Sequence, residues 1–450
     1  MNLRVVSGVL LLMLVSVGSA TAQEMTLTLP QAIELAMERN IDIAVAGMDL
    51  QTFREEYRRA IASAIGDLKA TAGYTRNLKK GAVFFSVPNA TTGLPGPPQK
   101  ITIGADNAFS SGLRFDQPLF SGGRVAAGMR GGKVQIEAGE ERLKGTKEEV
   151  VFTVKRLFYA YLLADSTTAI QADNRKLSNE HLATIRERYR QGLDSDLVVL
   201  RQNVEVASAE TALIQARNLK DLSLTNFQKI LALDVDRPLT LVGKLDPPGG
   251  DLPSYETVGK AALEKNTEYA AARKMTLLSE EAHKVYRAER FPDLDGFVDY
   301  SWQGQSDDFA PGPTQRYDSL SAGLKLEWKL FTGGETRARI AEARIAINRA
   351  RKEEEKIRRE IQVQVKQQWL GVTEARERAR SQETAVGEAE RVLAATEVRY
   401  KQGHASQLEL NDATFALNRA RTIFAQASHD FWVARAGLER VTGASMEEIR

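Results

Sequence analysis

The sequence predicts a mostly α-helical protein that is built twice from one plan, a pair of β-strands followed by a pair of long helices. The stretch "LRFDQPLFSGGR" at 113–124 returns as "LKLEWKLFTGGE" at 324–335, a shift of 211 positions. Each copy is followed by about 70 residues without proline, which at ~1.5 Å rise per residue is a helical length on the order of 100 Å. Several matches in one order indicate an internal duplication.

The duplication extends beyond the two quoted stretches. At the same shift of 211, "RYRQGLDSDL" at 188–197 falls on "RYKQGHASQL" at 399–408. Upstream, "DLKATAGY" at 67–74 falls on "DLDGFVDY" at 293–300, now at a shift of 226. The difference between the two shifts, 226 − 211, means that the first half has 15 more residues between Tyr74 and Leu113. These include a proline- and glycine-rich segment, "SVPNATTGLPGPPQK", which predicts a loop.

We therefore expect a first structural repeat over residues 23–246 and a second over residues 247–450. The expected elements are strands at about 67–86 and 100–120 with a helical hairpin at about 123–232 in the first repeat, and strands at about 293–305 and 317–331 with a helical hairpin at about 334–441 in the second. Residues 1–22 read as a signal peptide, because Arg4 precedes a short apolar run and Ala20-Thr21-Ala22 fits a small-x-small cleavage site. The mature protein is then an exported one.

The predicted strands alternate between apolar and polar residues. In the last strand Leu324 and Leu326 alternate with Lys325 and Glu327, so one face is apolar and the other charged. Such a sheet suits either a membrane or a soluble core, and the alternation alone leaves both open. Four strands are too few to close a membrane barrel, for which about eight is the lower end, so a barrel would need strands from several chains.

The predicted helices carry apolar seams that indicate coiled-coil packing. In the final helix large residues recur every seven positions, namely Leu417, Phe424, Phe431 and Leu438. The glycine pairs that precede the helical hairpins, Gly122-Gly123 and Gly333-Gly334, are interpreted as hinges that turn the chain sharply from strand into helix.

Composition argues against several classes of function. With 61 basic and 59 acidic residues, net charge gives no indication of a nucleic-acid partner. The absence of cysteine excludes disulfides, thiolate ligands and an acylated N-terminal cysteine. The four histidines lie far apart, and neither a phosphate-binding loop nor a nucleophile elbow is present. We expect no metal, no cofactor, no catalytic residue and no enzymatic activity.

Taken together, the duplicated motifs resemble the TolC-type outer-membrane efflux protein family. The residues that carry the resemblance are "LTLPQAIELAMERN", "FPDLDGFVDYSW", "QPLFSGGRVAAG" with "KLFTGGETRARI", and the paired "RYRQG" and "RYKQG". The resemblance implies a homotrimer with an α-helical tunnel across the periplasm and a shared twelve-stranded β-barrel in contact with outer-membrane lipid. It also implies a passive exit duct in a tripartite efflux or type I secretion system, coupled to a periplasmic adaptor (membrane fusion) protein and an inner-membrane pump of RND, ABC or MFS type.

The resemblance extends to individual residues. It implies that two hairpin tips contact the adaptor through Arg188, Tyr189, Gly192, Leu193, Arg399, Tyr400 and Gly403. It further implies that Glu409 and Asp412 form an acidic ring at the tunnel entrance. The sequence departs from the family pattern at Ala405, where an arginine helps to close the entrance, and at Val198, where an acid is usual.

Two alternatives to an exit duct follow from the same residues. One is a structural periplasmic or cell-surface coiled-coil protein whose strands form a soluble head. The other is a periplasmic binding module with a ligand pocket. Both share the exported chain and the long helices with the duct, and they differ from it in having no strands in a membrane.

Overall fold

The computed structural model describes residues 25–86, 88, 93–246 and 252–449. The predicted signal peptide, residues 1–22, lies outside the described residues. The chain divides into two compact units, one formed by Met1–Ala44, Lys147–Gly259 and Gln364–Arg450, the other by Val45–Thr146 and Lys260–Val363. The first unit is mainly helical, and the second carries the main sheet.

The elements of the first half are β1 (Met25–Leu27), α1 (Leu29–Arg39), α2 (Ile41–Ile65), β2 (Asp67–Arg76), β3 (Gly81–Phe85), β4 (Gln99–Ile103), β5 (Asn107–Phe120), α3 (Arg124–Arg190), α4 (Asp196–Ile230) and β6 (Leu239–Leu241). Those of the second half are α5 (Tyr255–Lys265), α6 (Thr267–Ala288), β7 (Asp293–Ser306), β8 (Arg316–Glu327), α7 (Glu335–Lys401) and α8 (Gln407–Thr442). Helices α3 and α7 each run for 67 residues. We call α3 with α4 the first hairpin and α7 with α8 the second hairpin.

The main sheet is antiparallel with strand order β2-β5-β7-β8. Its register places Leu68, Phe115 and Val298 in one row across the strands, and Lys69, Arg114 and Asp299 in the adjacent row. Because side chains alternate between the two faces of a sheet, one face is apolar and the other charged. No part of the chain that the structure describes covers the apolar face, since Leu68 and Leu320 are 71% and 72% exposed.

The strands are shorter than expected at three places. The first expected strand breaks after Arg76, where the backbone amide of Asn77 donates to the backbone carbonyl of Asp106 at the end of the sheet. The second expected strand breaks at Gly104, whose φ is +94°. Between these points β3 and β4 form a separate antiparallel pair. In the second half β8 ends at Glu327 rather than at residue 331, because its neighbour β7 begins opposite it at Asp293.

A further two-stranded sheet pairs β1 with β6 in parallel. It contributes Leu27, Leu239 and Leu241 to a hydrophobic core of the helical unit, where they pack with Phe158 and Phe227. Both phenylalanine side chains are almost fully buried, and each burial stabilises the fold by about 1.5–3 kcal/mol. Of the four residues predicted to form the seam of the final helix, Leu417, Phe431 and Leu438 are buried, and Phe424 is half-buried.

A buried asparagine precedes the second helix of each half, Asn40 before α2 and Asn266 before α6. Asn40 accepts hydrogen bonds from the backbone amides of Asp42 and Ile43, and Asn266 accepts one from Tyr269. Asn40 also donates to the carbonyl of Ile230, which fixes α2 against the end of α4. None of the helices in the described ranges combines the length and the apolar run that crossing a bilayer would require.

Candidate functional site

The two glycine pairs lie between strand and helix. Gly122 and Gly123 separate β5 from α3 and have φ of +60° and +87°, while Gly333 and Gly334 precede α7 with φ of +62° and +93°. Backbone in this left-handed region is open to glycine at little cost and is unfavourable for other residues. The hinge interpretation of these four residues therefore has a geometric basis.

A hydroxyl residue before each glycine pair caps the helix that follows. The Ser121 Oγ accepts from the amide of Val125 at 3.3 Å, and the Thr332 Oγ1 accepts from the amide of Thr336 at 3.4 Å. Each hydroxyl satisfies a backbone donor that the first helical turn leaves free. Ser/Thr-Gly-Gly is thus one structural motif used twice.

The two hinges differ in their surroundings, which gives a matched comparison. A Cβ added at Gly122 would lie 2.6 Å from the carbonyl oxygen of Ala288, whereas no described atom lies within 4 Å of one added at Gly333. We expect Gly122→Ala to lower the free energy of unfolding by about 2–4 kcal/mol, through both backbone strain and overpacking, and Gly333→Ala by about 1 kcal/mol through strain alone. Denaturant titration followed by circular dichroism measures both; equal losses would contradict the expectation.

Both hairpin tips turn by the same hydrogen-bonding pattern. At the first tip, residues 188–195, the amide of Gly192 donates to Tyr189 and that of Leu193 donates to Arg188, each at 2.9 Å. At the second tip, residues 399–406, the amides of Gly403 and His404 donate to Tyr400 and Arg399 in the same way. This is the Schellman motif, and it needs a left-handed residue at the position that glycine occupies in both tips.

A polar cluster joins the two tips within one chain. The Arg188 Nε donates to Asp194 Oδ2 at 2.9 Å, and its guanidinium lies 5.1 Å from the centroid of the Tyr400 ring. The Tyr400 hydroxyl donates to the same Asp194 oxygen at 3.2 Å. We call these three residues the tip cluster.

The pKa shifts in the tip cluster keep Tyr400 neutral and Arg188 positively charged, as their hydrogen bonds to Asp194 require. Burial, together with the negative Asp194, raises the pKa of Tyr400 to about 12, so its hydroxyl keeps the proton that it donates. The hydrogen bond to Asp194 also raises the pKa of Arg188. Sequence reasoning identified Arg188 and Tyr400 and missed Asp194, which has no counterpart in the second repeat.

A second polar link lies one turn further from the tips. The Gln407 side-chain amide donates to the Val198 carbonyl at 3.2 Å and to Gln202 Oε1 at 3.3 Å, and Gln202 in turn donates to Ser178. Gln202 is 1% exposed, so its amide bonds are made away from water. Nearby, His181 lies 3.5 Å from Glu397, and burial lowers the pKa of this histidine. Neither glutamine was singled out from the sequence, because glutamine on a long helix is ordinarily a surface residue.

The two predicted ring acids have different local roles. Glu409 belongs to a capping box: its carboxylate accepts from the Ser406 amide at 2.6 Å, and its own amide donates to the Ser406 hydroxyl at 3.2 Å. The bond from the Ser406 amide lowers the pKa of Glu409. Asp412 is exposed, and in the described part of the chain its carboxylate has neither an ion pair nor a hydrogen bond. The same part holds no cluster of three acidic or histidine side chains placed to bind a metal.

The fold and the paired tips define a class of protein, the outer-membrane channels with a helical tunnel. The Campylobacter jejuni CmeC outer membrane channel has the same fold, with a TM-score of 0.78 at 14% identity, covering 92% of this chain and 85% of that one. The alkaline protease secretion protein AprF of Pseudomonas aeruginosa is 24% identical over 345 residues, which are 75% of this chain and 70% of AprF. The proteases secretion protein PrtF of Dickeya chrysanthemi is 21% identical over 448 residues, 98% of this chain and 93% of PrtF.

The model of the outer membrane efflux protein family matches residues 32–233 and 258–444, and the chain belongs to that family. The predicted fold class, a mostly helical tunnel with a β-barrel part, is confirmed. So is the predicted function as an outer-membrane channel component, against the alternative of a structural coiled-coil protein. The protein is located in the cell outer membrane and extends into the periplasm. Its family is one of channels and not one of enzymes.

Proposed function

We propose that the protein is a homotrimeric, passive exit duct without catalytic residues, which receives its cargo from a periplasmic adaptor and an inner-membrane pump. The observation that carries the trimer is the main sheet. Among the described strands β2 pairs only with β5 and β8 pairs only with β7, so both edges of the sheet are unpaired. In a membrane every backbone polar group needs an internal partner, so an open sheet needs further strands.

Copies of the same chain supply those strands most simply. Three copies of a four-stranded sheet give twelve strands, and β8 of one copy then pairs with β2 of the next. The apolar face, with its exposed leucines, would lie against outer-membrane lipid, and the charged face would line the interior.

The internal duplication specifies the register of this pairing. Within the chain Phe115 of β5 pairs with Val298 of β7. Moving each residue to its counterpart in the other repeat gives Leu326 of β8 opposite Ala72 of β2 in the neighbouring copy. The repeats thus predict a contact between copies from a contact inside one copy.

Disulfide formation tests the trimer and its register, since the chain has no cysteine of its own. Opposed Cα atoms in antiparallel strands lie about 4.5–5.5 Å apart, within disulfide reach. We expect Ala72→Cys with Leu326→Cys to give covalent species of two and three chains, and Phe115→Cys with Val298→Cys to form a disulfide inside one chain.

Tyr74→Cys with Leu326→Cys is the control, because this pair is two positions out of register on the same face. Non-reducing gel electrophoresis of detergent-extracted protein is the measurement. A water-soluble monomer, or equal cross-linking of both pairs, would contradict the proposed closure.

The tips are the proposed contact with the adaptor. Arg188 and Tyr400 bind each other inside the chain and would shape the tips, while the turn residues Gly192, Leu193 and Gly403 are exposed and available to a partner. Tyr189 and Arg399 are exposed as well. The pump, of RND, ABC or MFS type, would supply the energy. The similarity to AprF and PrtF, which are named as protease secretion proteins, favours a secreted protein as cargo, with small-molecule efflux as the alternative.

Substitution at the turns tests the adaptor contact. No described atom lies within 4 Å of a Cβ added at Gly192 or Gly403, so a large side chain there meets no described part of its own chain, although the left-handed backbone at both positions is strained for any residue with a Cβ. We expect Gly192→Trp to abolish export in cells, and Gly192→Ala, which carries the same backbone strain without the bulk, to retain most of it. The Ala72/Leu326 cross-link confirms that the trimer is intact. Normal export by the tryptophan variant would remove the turn from the adaptor contact.

The acidic ring is proposed for Glu409 and Asp412, since three-fold repetition of an exposed acid gives a ring that attracts cations. Glutamine serves as well as glutamate in a capping box, so Glu409→Gln removes the charge and keeps the helix start. We expect Glu409→Gln with Asp412→Asn to weaken block by divalent cations in planar-bilayer conductance, with Asp412→Asn causing most of the change. Unaltered block in the double variant would exclude the ring.

A further inference from the structure

A polar groove lies between three helices of the helical unit, α3, α4 and α8. Its volume is about 220 Å³. Packed helices ordinarily place apolar residues at such a seam, whereas most of the side chains around this one carry an amide or a hydroxyl group. We call it the amide groove, after the carboxamides that line it, those of Gln171, Asn174, Gln202, Asn411 and Asn418.

Most of these carboxamides have no partner within the described part of the chain. Gln202 is bonded to Ser178 and Gln407. The other four side chains make no hydrogen bond to any described atom, and the Oδ1 atom of Asn418 is buried as well. A buried acceptor without a hydrogen bond is unfavourable, so a ligand that donates to it gains binding free energy.

The internal duplication shows that this polarity is particular to one seam. Seven polar residues of the groove have apolar counterparts at the shift of 211. On the first hairpin the polar residues Asn174, Ser178, His181, Gln202 and Glu205 correspond to Ala385, Ala389, Val392, Ala413 and Ala416. On the second hairpin Asn411 and Asn418 correspond to Leu200 and Ala207. The other polar lining residues, Gln171, Ser208 and Thr414, have polar counterparts.

The helical plan therefore does not require polar residues at these positions. The chain builds the same seam elsewhere from alanine, valine and leucine. Residues that break a local packing rule tend to lie at functional sites, because no gain in stability accounts for them. The amide groove breaks the rule at several positions that converge on one cavity.

The groups in the groove suit an uncharged ligand that is rich in hydroxyl groups. A carboxamide both donates and accepts, as a sugar hydroxyl does, so each free carboxamide can bond to a hydroxyl in either sense. Phe415 adds an aromatic ring that is 67% exposed, and the C–H groups on one side of a sugar ring can pack against such a surface. Among the described lining residues Glu205 is the one acid, and there is no lysine or arginine.

We propose that the amide groove binds an uncharged glycan, with one sugar ring against Phe415 and its polar groups bonded to the free carboxamides. The volume of the groove holds one sugar ring, and neighbouring rings of the glycan would lie outside it. Every described lining residue belongs to one chain, so the site does not depend on the proposed trimer.

Two sources offer this chemistry to a protein that extends into the periplasm. One is a free oligosaccharide, and the other is a glycan strand of the cell wall. Both present the same hydroxyl groups to the groove. Binding to the cell wall would in addition hold the helical hairpins in place where they cross it.

Two binding measurements on the detergent-extracted full chain test the site and separate the two sources. Isothermal titration calorimetry with an oligomer of N-acetylglucosamine measures binding of a free glycan, and co-sedimentation with purified cell-wall sacculi measures binding of the polymer. We expect binding in both. Binding of the oligomer alone would support the site with a free oligosaccharide as its ligand.

Substitutions that copy the other repeat test whether the groove is the binding site. Asn411→Leu, Phe415→Val and Asn418→Ala introduce the residues found at the equivalent positions of the first hairpin, so the seam keeps a packing that the chain already uses. We expect the triple variant to bind the oligomer roughly tenfold more weakly or worse, since it loses hydrogen bonds and an aromatic contact. The control is Asn179→Ala, which removes an exposed carboxamide of α3 outside the groove and should leave binding unchanged.

Two results would overturn the inference: no binding of either glycan to the unaltered protein, or equal binding by the unaltered protein and the triple variant. Circular dichroism checks that the triple variant keeps its helices. If it does not, Asn174→Ala, which copies Ala385 alone, replaces it under the same expectation. Neither measurement depends on export, so the proposed exit duct stands or falls separately.

Discussion

The open edges of the main sheet are the constraint on which the proposed assembly depends. Among the described residues both edges of this sheet are unpaired and its apolar face is uncovered. Unpaired backbone amides and carbonyls cost several kcal/mol each in hydrocarbon, so the strands need neighbours before they can reside in a membrane. In the proposed trimer the long helices would have the same property, with apolar seams partly covered inside the chain and partly left for another copy.

The Ser/Thr-Gly-Gly motif joins strand to helix in both repeats. Each motif has two glycines in the left-handed region and a capping hydroxyl before them. The end of the strand and the start of the helix are therefore linked by the same short segment. Because the motif is used twice, the sheet and the helices inherit the same repeat. A contact known inside one copy can then be transferred to the contact between copies.

The sequence predicted the elements that depend on periodicity and missed those that depend on single partners. Alternation predicts β5, β7 and β8, and heptad spacing predicts the buried Leu417, Phe431 and Leu438, because these patterns repeat over many residues. Strands β1 and β6 have three residues each, which is too short for any period to appear. At the tips, the resemblance placed the two turns at RYRQG and RYKQG, and the structure shows that each turn is a Schellman motif. Asp194 and Gln202 were not predictable, since each acts through one partner on the other hairpin, about 200 residues away in the sequence.

The unequal tips have a consequence for the stoichiometry of any partner. The first tip presents Leu193 and Asp194 after its glycine, and the second presents His404 and Ala405 at the same positions. The proposed ring of three chains would therefore offer two chemically distinct sets of three tips rather than six equivalent ones. A partner selective for one set binds in three copies, whereas a partner that occupies all six tips must accommodate two different surfaces with one binding site.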